Sequence, residues 1–274
     1  MATGPWPAGR RGPRRPGVRG AALALGAVAA LAALALAALT LSALRDGGEP
    51  PAADDAPPEV VAELAPLTWA TRSHVWAGGC GHRYLVDRDP AEVPAPPVAQ
   101  DADRWAGELD AVHGGSTIVE TTLRTGGREA VVVEAVHIRV VERRAPLAWP
   151  AFDMSLGCGG ALTPAAFTVD LDADRPVVRP RDGYDGEAEA ELPAPEPPFL
   201  VTEDEPLVLR VEATAVDCDC DWYVEVDWAS GADSGMARID DAGRPFRTSG
   251  VTGAPGDVYG YEYTASRWER GYGG

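Results

Sequence analysis

Four cysteines carry the most evident chemistry in this chain: Cys80, Cys158, Cys218 and Cys220. An even number of thiols in an oxidising compartment reads as two disulfides, each stabilising by about 2–4 kcal/mol. Their spacing leaves the pairing open. In an extended strand, residues i and i+2 have Cα atoms about 6.6–6.8 Å apart, at the edge of what a disulfide spans. The preferred reading therefore has Cys218 and Cys220 reach from one face to Cys80 and Cys158, tying two loops to one strand. The alternative bonds Cys218 to Cys220 and Cys80 to Cys158. A third reading takes Cys80, His82, Cys218 and Cys220 as soft zinc ligands. Zinc sites more often space their ligands by two to four residues, and disulfides compete outside the cell.

Asp217, Asp219 and Asp221 alternate with Cys218 and Cys220, so a strand would line three carboxylates on one face. They are the candidate calcium ligands. A calcium loop of the EF-hand type needs glycine at its sixth position and glutamate at its twelfth, where this chain has Trp222 and Trp228. Any calcium site would be irregular, and a solvated acidic edge that discourages strand pairing is the simpler reading. The four histidines, His74, His82, His113 and His137, show no metal-ligand spacing. No two acids stand out at the spacing glycoside hydrolysis requires.

Ser155-Leu156-Gly157-Cys158 resembles the Ser-x-Gly-Cys signature of the L,D-transpeptidases, which cross-link bacterial cell wall with a cysteine nucleophile. That resemblance implies Cys158 as nucleophile, with His113 or His137 as the base that forms its thiolate. The match ends at Cys158. Gly159 and Gly160 stand where that family has an aliphatic residue and an arginine, and its upstream His-Gly motif is missing. The reading assigns no catalytic residue, metal or cofactor.

The elements that must position these residues are mostly strands. Ser116–Leu123, Glu129–Glu142, Phe167–Leu171 and Leu207–Val216 are rich in β-branched residues and alternate at least in part. Gly126 and Gly127 between the first two predict a hairpin. Trp222–Trp228 puts Trp222, Val224, Val226 and Trp228 on one face, and Gly235–Asp240 and Arg244–Thr248 follow around the turn Asp241-Ala242-Gly243. Asp101–Val112 predicts one short helix capped by Asp101 or Asp103. Of the eight tryptophans most belong to the core, with an exposed few free to stack on sugar. Short strands with Gly/Pro turns predict an all-β fold, an antiparallel β-sandwich.

Ahead of this head, residues 1–20 form an Arg-rich tail, and Ala21 to Leu44 carry no charge at all. Twenty-four residues make roughly 36 Å of helix at about 1.5 Å each, enough for a hydrocarbon core of about 30 Å. The run predicts one transmembrane α-helix, 21–44, and the five arginines before it predict a cytoplasmic N-terminus. A cleaved signal peptide is the rival, but its apolar region is usually only about 7–15 residues. Residues 45–66 are rich in Pro, Ala and acid and read as a stalk. Residues 67–265 form the extracytoplasmic domain, and 266–274 a frayed tail. The chain has no lysine, and six of its 24 arginines precede Asp46, leaving 18 against 42 acids, a net of −24. Such a head repels nucleic acid and anionic lipid.

The segment Cys218–Thr248, with Ile138–Arg144 and Cys158-Gly159-Gly160, resembles a pattern in an uncharacterised group of actinobacterial membrane-anchored proteins, some fused to helix-turn-helix regions. The shared pattern runs Cys-x-Cys-x-Trp, a Trp-Ser-like turn, Asp-Asp-x-Gly and Pro-Phe-Arg-Thr, and the resemblance covers most of residues 70–250. It implies a sensory or interaction role by association. This chain departs from the fused members, since its cytoplasmic part is only about 20 residues, too short for a DNA-binding domain. The expectation is a single-pass cell-membrane protein that meets the lipid bilayer through residues 21–44. Its external domain binds an envelope or membrane-protein partner. The competing readings are an envelope enzyme using Cys158 and a structural envelope protein.

Overall fold

The computed structural model describes residues 66–79, 81–127, 129–155, 162–252 and 257–271. These all fall in one compact unit, Glu63–Gly274. The predicted tail, membrane helix and most of the stalk lie outside the described residues, as do Cys80 and Cys158. Among the described residues no helix is long and apolar enough to cross a membrane.

The chain begins with β1 (Leu67–Val75) and β2 (Arg83–Leu85), then helix α1 (Ala102–Leu109) and β3 (Val112–Gly114). Long strands β4 (Ser116–Thr125) and β5 (Val131–Arg144) follow, then β6 (Ala151–Asp153), β7 (Leu162–Thr163) and β8 (Ala166–Asp170). Short strands β9 (Arg179–Arg181), β10 (Gly183–Asp185), β11 (Ala190–Leu192) and β12 (Phe199–Val201) lead to β13 (Leu207–Thr214) and β14 (Asp219–Ser230). The last four are β15 (Asp233–Ile239), β16 (Phe246–Ser249), β17 (Tyr259–Glu262) and β18 (Arg267–Arg270). The all-β expectation holds.

Strands pair into a sheet of order β1-β4-β13-β8-β9 and a larger one of order β12-β5-β14-β16-β3-β2-β6-β17-β18, with β15 also on β14 and a small sheet β11-β10-β7 apart. The two main sheets share a core. Val119, Leu123, Leu209, Val211 and Phe167 of the first meet Val131, Val133, Trp222, Val224 and Val226 of the second. Alternation places these residues inward, since successive side chains of a strand point to opposite faces. The sheets are mixed rather than purely antiparallel. β8 runs parallel to β13, β16 to β3, and β17 to β6.

Three further expectations change. Gly126-Gly127 does not close a hairpin: β4 pairs with β1 and β13, whereas β5 pairs with β14 and β12. The glycines carry the chain from one sheet to the other, so both strands turn their apolar faces into the shared core. The predicted helix shortens to Ala102–Leu109. Asp101 stands at its N-cap without a side-chain cap bond, and Asp110 ends it with φ +51° in the left-handed region. Its apolar stripe, Ala102, Trp105, Ala106 and Leu109, packs on a second core with Tyr84, Phe152 and Met154. The C-terminal end is not frayed through Arg270, because β18 pairs with β17 and Trp268 is buried, its indole N–H donating to the Val93 and Pro94 carbonyls.

Candidate functional site

Three of the four histidines converge at the edge of that second core. The end of β1 supplies His74 and the residues after it Trp76. The segment entering β2 supplies His82, and β2 itself Tyr84. β3 supplies His113, which lies opposite Tyr84 in the antiparallel β2–β3 pair. The Tyr84 hydroxyl lies 2.8 Å from His74 Nδ1 and 3.3 Å from Trp76 Nε1. His82 Nε2 and His113 Nδ1 are hydrogen-bonded across 2.9 Å, one ring donating to the other. The rings pack closely, His74 and His113 tilted with centroids 4.6 Å apart and His82 and Tyr84 edge to face at 4.4 Å.

The network sets protonation. An indole N–H only donates, so the Tyr84 oxygen accepts from Trp76. Its own proton is then free for His74 Nδ1. In the neutral ring this leaves the N–H on Nε2, facing Asp103 Oδ1 3.6 Å away. Burial lowers the His74 pKa, although the charges of Asp103 and Asp241 oppose the shift. Burial, reinforced by His74, lowers His82 to about 3, with Asp153 opposing. His113 falls well below its ordinary value through burial and the neighbouring His82 and His74. Burial raises the Tyr84 phenol far above its usual range. The cluster is therefore neutral at pH 7, and Tyr84, with no exposed surface, reaches no ligand directly.

His74 opens onto solvent. It lines two adjoining clefts of about 470 and 510 Å3, which also share Ser73, Asp103 and Asp241. His113 lines the second of them. His82 lines a separate cleft of about 310 Å3 with Ser155 and Asp153. Among the described residues no group of three or more His, Cys, Asp or Glu side chains is placed to hold a metal ion.

The residues singled out in the sequence lie elsewhere. Cys218 and Cys220 are bonded to each other, with Cα atoms 5.5 Å apart, against the preferred pairing with Cys80 and Cys158. Cys218 stands just before β14, after a bend at Val216 and Asp217, and the 5.5 Å separation is shorter than that of an extended Cys-x-Cys. At the bend the Asp172 carboxylate accepts from the main-chain N–H groups of Val216 and Asp217. The same bond removes both sulfurs from the zinc set, and His82 sits in the other core. On non-reducing peptide mapping, a peptide holding both Cys218 and Cys220 is expected to be two mass units lighter than its reduced form. A cross-link from either cysteine to another peptide would refute the pairing.

Two of the three carboxylates of the acidic edge are held by arginines. Asp219 is buried and accepts from Arg144 Nε at 2.8 Å and from Arg247 Nη2 at 2.7 Å. Arg144 also binds both oxygens of Asp221, at 2.9 Å each. Burial pushes the Asp219 pKa up, but hydrogen bonds and charge from Arg247 and Arg144 outweigh it and hold the carboxyl below its ordinary value. Asp217 is exposed on the bend. Two of the three candidate calcium ligands are thus already paired with guanidinium groups.

His137 lies on the β5–β14 surface 2.9 Å from Asp227, and His113 is committed to His82. The histidine cluster itself had one signal that spacing rules passed over. His74-x-Trp76 and His82-x-Tyr84 both set a histidine and an aromatic on one face of an extended segment. No family model, curated protein or solved structure matches the chain significantly.

Proposed function

We propose that the chain is a single-pass membrane protein whose β-rich head is an extracytoplasmic binding module, and that the module engages its partner at the His74 cleft. The observation that carries the binding reading is the cleft itself, which presents Asp103 and the Arg244-paired Asp241 opposite Arg72. Its histidine is neutral and held by Tyr84, and its walls come from β1, α1 and the turn after β15. A rigid hydrogen-bonded wall beside solvent-accessible carboxylates suits recognition. Among the described residues no serine, threonine or cysteine is hydrogen-bonded to a histidine, the arrangement an activated nucleophile requires.

The membrane placement rests on the uncharged run Ala21–Leu44 behind five arginines and on the excess of acid after it. The Cys218–Cys220 bond fits an oxidising compartment. The partner belongs to the envelope or the membrane, and the net charge of the head disfavours nucleic acid. Protease added to intact spheroplasts is expected to digest the head and spare the N-terminal segment. Protection of the head, or recovery of the chain in the soluble cytoplasmic fraction, would overturn this placement.

A further inference from the structure

Two buried rings connect the His74 side of the head to a separate opening. His82 and His113 are only 5 % and 6 % exposed. Among the described residues, the one side-chain hydrogen bond of either ring is the bond between them, His82 Nε2 to His113 Nδ1. No fully buried nitrogen or oxygen of a described side chain lacks a hydrogen-bond partner. The far nitrogens, His82 Nδ1 and His113 Nε2, have no partner and therefore reach open space. They reach different spaces. His82 lines the cleft of about 310 Å3 with Asp153, whereas His113 lines the cleft of about 510 Å3 with His74 and Ser73. The two clefts have no lining residue in common.

A neutral imidazole carries one N–H and one bare nitrogen, and burial keeps both rings neutral at pH 7. Two ring protons thus serve four nitrogens. One proton lies in the bond between the rings. The other sits at one far end, never at both. When His113 donates, its Nε2 is bare and His82 Nδ1 carries the proton. When His82 donates, its Nδ1 is bare and His113 Nε2 carries the proton. Asp153 lies in the His82 cleft, and although Arg83 Nε and the Ser155 N–H donate to it, its charge still favours a proton on His82. The resting pair then offers the His74 side a bare His113 Nε2, a buried acceptor.

We propose that the His82–His113 pair is a tautomeric relay between the two clefts, so that the group held at His82 Nδ1 sets whether His113 shows the partner an acceptor or a donor. In the resting form the partner places an N–H or O–H group at His113 Nε2. A ligand that donates a hydrogen bond to His82 Nδ1 reverses the sense. Reversal moves the bonded proton from His113 Nδ1 to His82 Nε2. One proton leaves His82 Nδ1 for water in its cleft, and one is taken up by His113 Nε2 from water in the other. Both rings stay neutral and no ring has to turn. This regulation rests on the binding reading above. The coupling is that of a hydrogen bond gained or lost at a buried nitrogen, about 5–150-fold in the affinity of either ligand.

The test reads the ring nitrogens by NMR, on the full chain with isotope-labelled histidine in a zwitterionic detergent at pH 7. The protonated fractions of His82 Nδ1 and His113 Nε2 are expected to sum to one, with His82 holding the larger share. Replacing His113 with Nε2-methylhistidine leaves its Nδ1 bare. His82 must then donate, and its Nδ1 is expected to lose its proton. Should that chain fail to fold, Asp153→Asn takes its place. It is expected to raise the share on His113 Nε2, relative to that on His82 Nδ1, by about three- to tenfold.

Protons at both far nitrogens of the wild-type chain would overturn the relay. So would a His82 Nδ1 that keeps its proton opposite the methylated ring. In Asp153→Asn, far nitrogens that move independently, or not at all, would overturn it too. No partner is present in these measurements, so failure of the relay and failure of the binding reading are separate results.

Discussion

Lowering the pH from 7 to 5 is expected to cost this head a large part of its stability, through histidines rather than carboxylates. His82, His113 and His74 all have folded-state pKa values below the ordinary 6.5. The unfolded chain takes the proton first, so the stabilisation is complete above about pH 6.5 and is lost as pH falls toward the folded value. For His82, with a folded value of about 3, the loss at pH 5 is about 2 kcal/mol, since each pH unit between the two values is worth about 1.4 kcal/mol. His113 and His74 act in the same direction. Domains of this size hold about 5–15 kcal/mol in total, so the effect is a sizeable fraction.

The carboxylate contribution separates cleanly. Asp219 has a lowered folded value, so its stabilisation is present above its unfolded pKa of about 3.9 and is lost only below it. The pH 5–7 window therefore reports the histidines. Urea unfolding of wild type, His82→Gln and His113→Gln at pH 7 and at pH 5 measures this. Each substitution carries its own structural cost, but the difference between the two pH values cancels most of it. That difference should shrink by about 2 kcal/mol in His82→Gln. An unchanged difference would mean that the buried pair is not neutral in the folded state.

The strands were legible where burial alone decides them. Trp222, Val224 and Val226 alternate with polar residues, and all three are fully buried. Their partners were not legible. Gly126-Gly127 has the chemistry of a reversal, but a turn fixes only where the chain bends, not which strand receives it. β1 took one side of β4 and β13 the other, and neither preference is written in the two glycines. The cysteine pairing failed for a related reason. The ideal strand rise places Cys218 and Cys220 near the far edge of what a disulfide spans, whereas the folded chain sets them 5.5 Å apart, just after a bend held by Asp172, a residue 46 positions earlier in the sequence than Cys218. The histidine site needs β1, β2, β3 and α1 in place at once. Its pieces are separated by a proline-rich loop, so no local window contains it. Turn chemistry was readable at Asp241-Ala242-Gly243, where both central residues have positive φ, +52° and +89°, and Asp241 and Arg244 exchange both main-chain bonds.

Trp222→Ala is expected to be the most destabilising single truncation among the core tryptophans. Trp222 has no exposed surface, and its ring lies 5.0 Å from that of Phe246 on the neighbouring β16. Its indole N–H donates to Thr248 Oγ1 at 2.9 Å, and Thr248 shares a second hydrogen bond, 2.6 Å long, with Thr117 of β4. That chain of three side chains links β14 and β16 in one sheet to β4 in the other through the core. All of its groups are buried, so none can replace a lost partner with bulk water. Truncation removes the packing and the donor together, which costs about 3–5 kcal/mol for a buried tryptophan. At about 2–4 °C per kcal/mol for a domain of this size, the thermal midpoint should fall by roughly 6–20 °C. Trp222→Phe keeps most of the apolar contact and removes only the N–H. It should cost about 1–3 kcal/mol, the penalty for an unsatisfied buried polar group. Thr117→Val in the Trp222→Phe background tests the coupling. With the relay already cut, the second substitution should cost measurably less than it does in the wild type. Equal costs in the two backgrounds would show that the two sheets are held together by apolar packing alone.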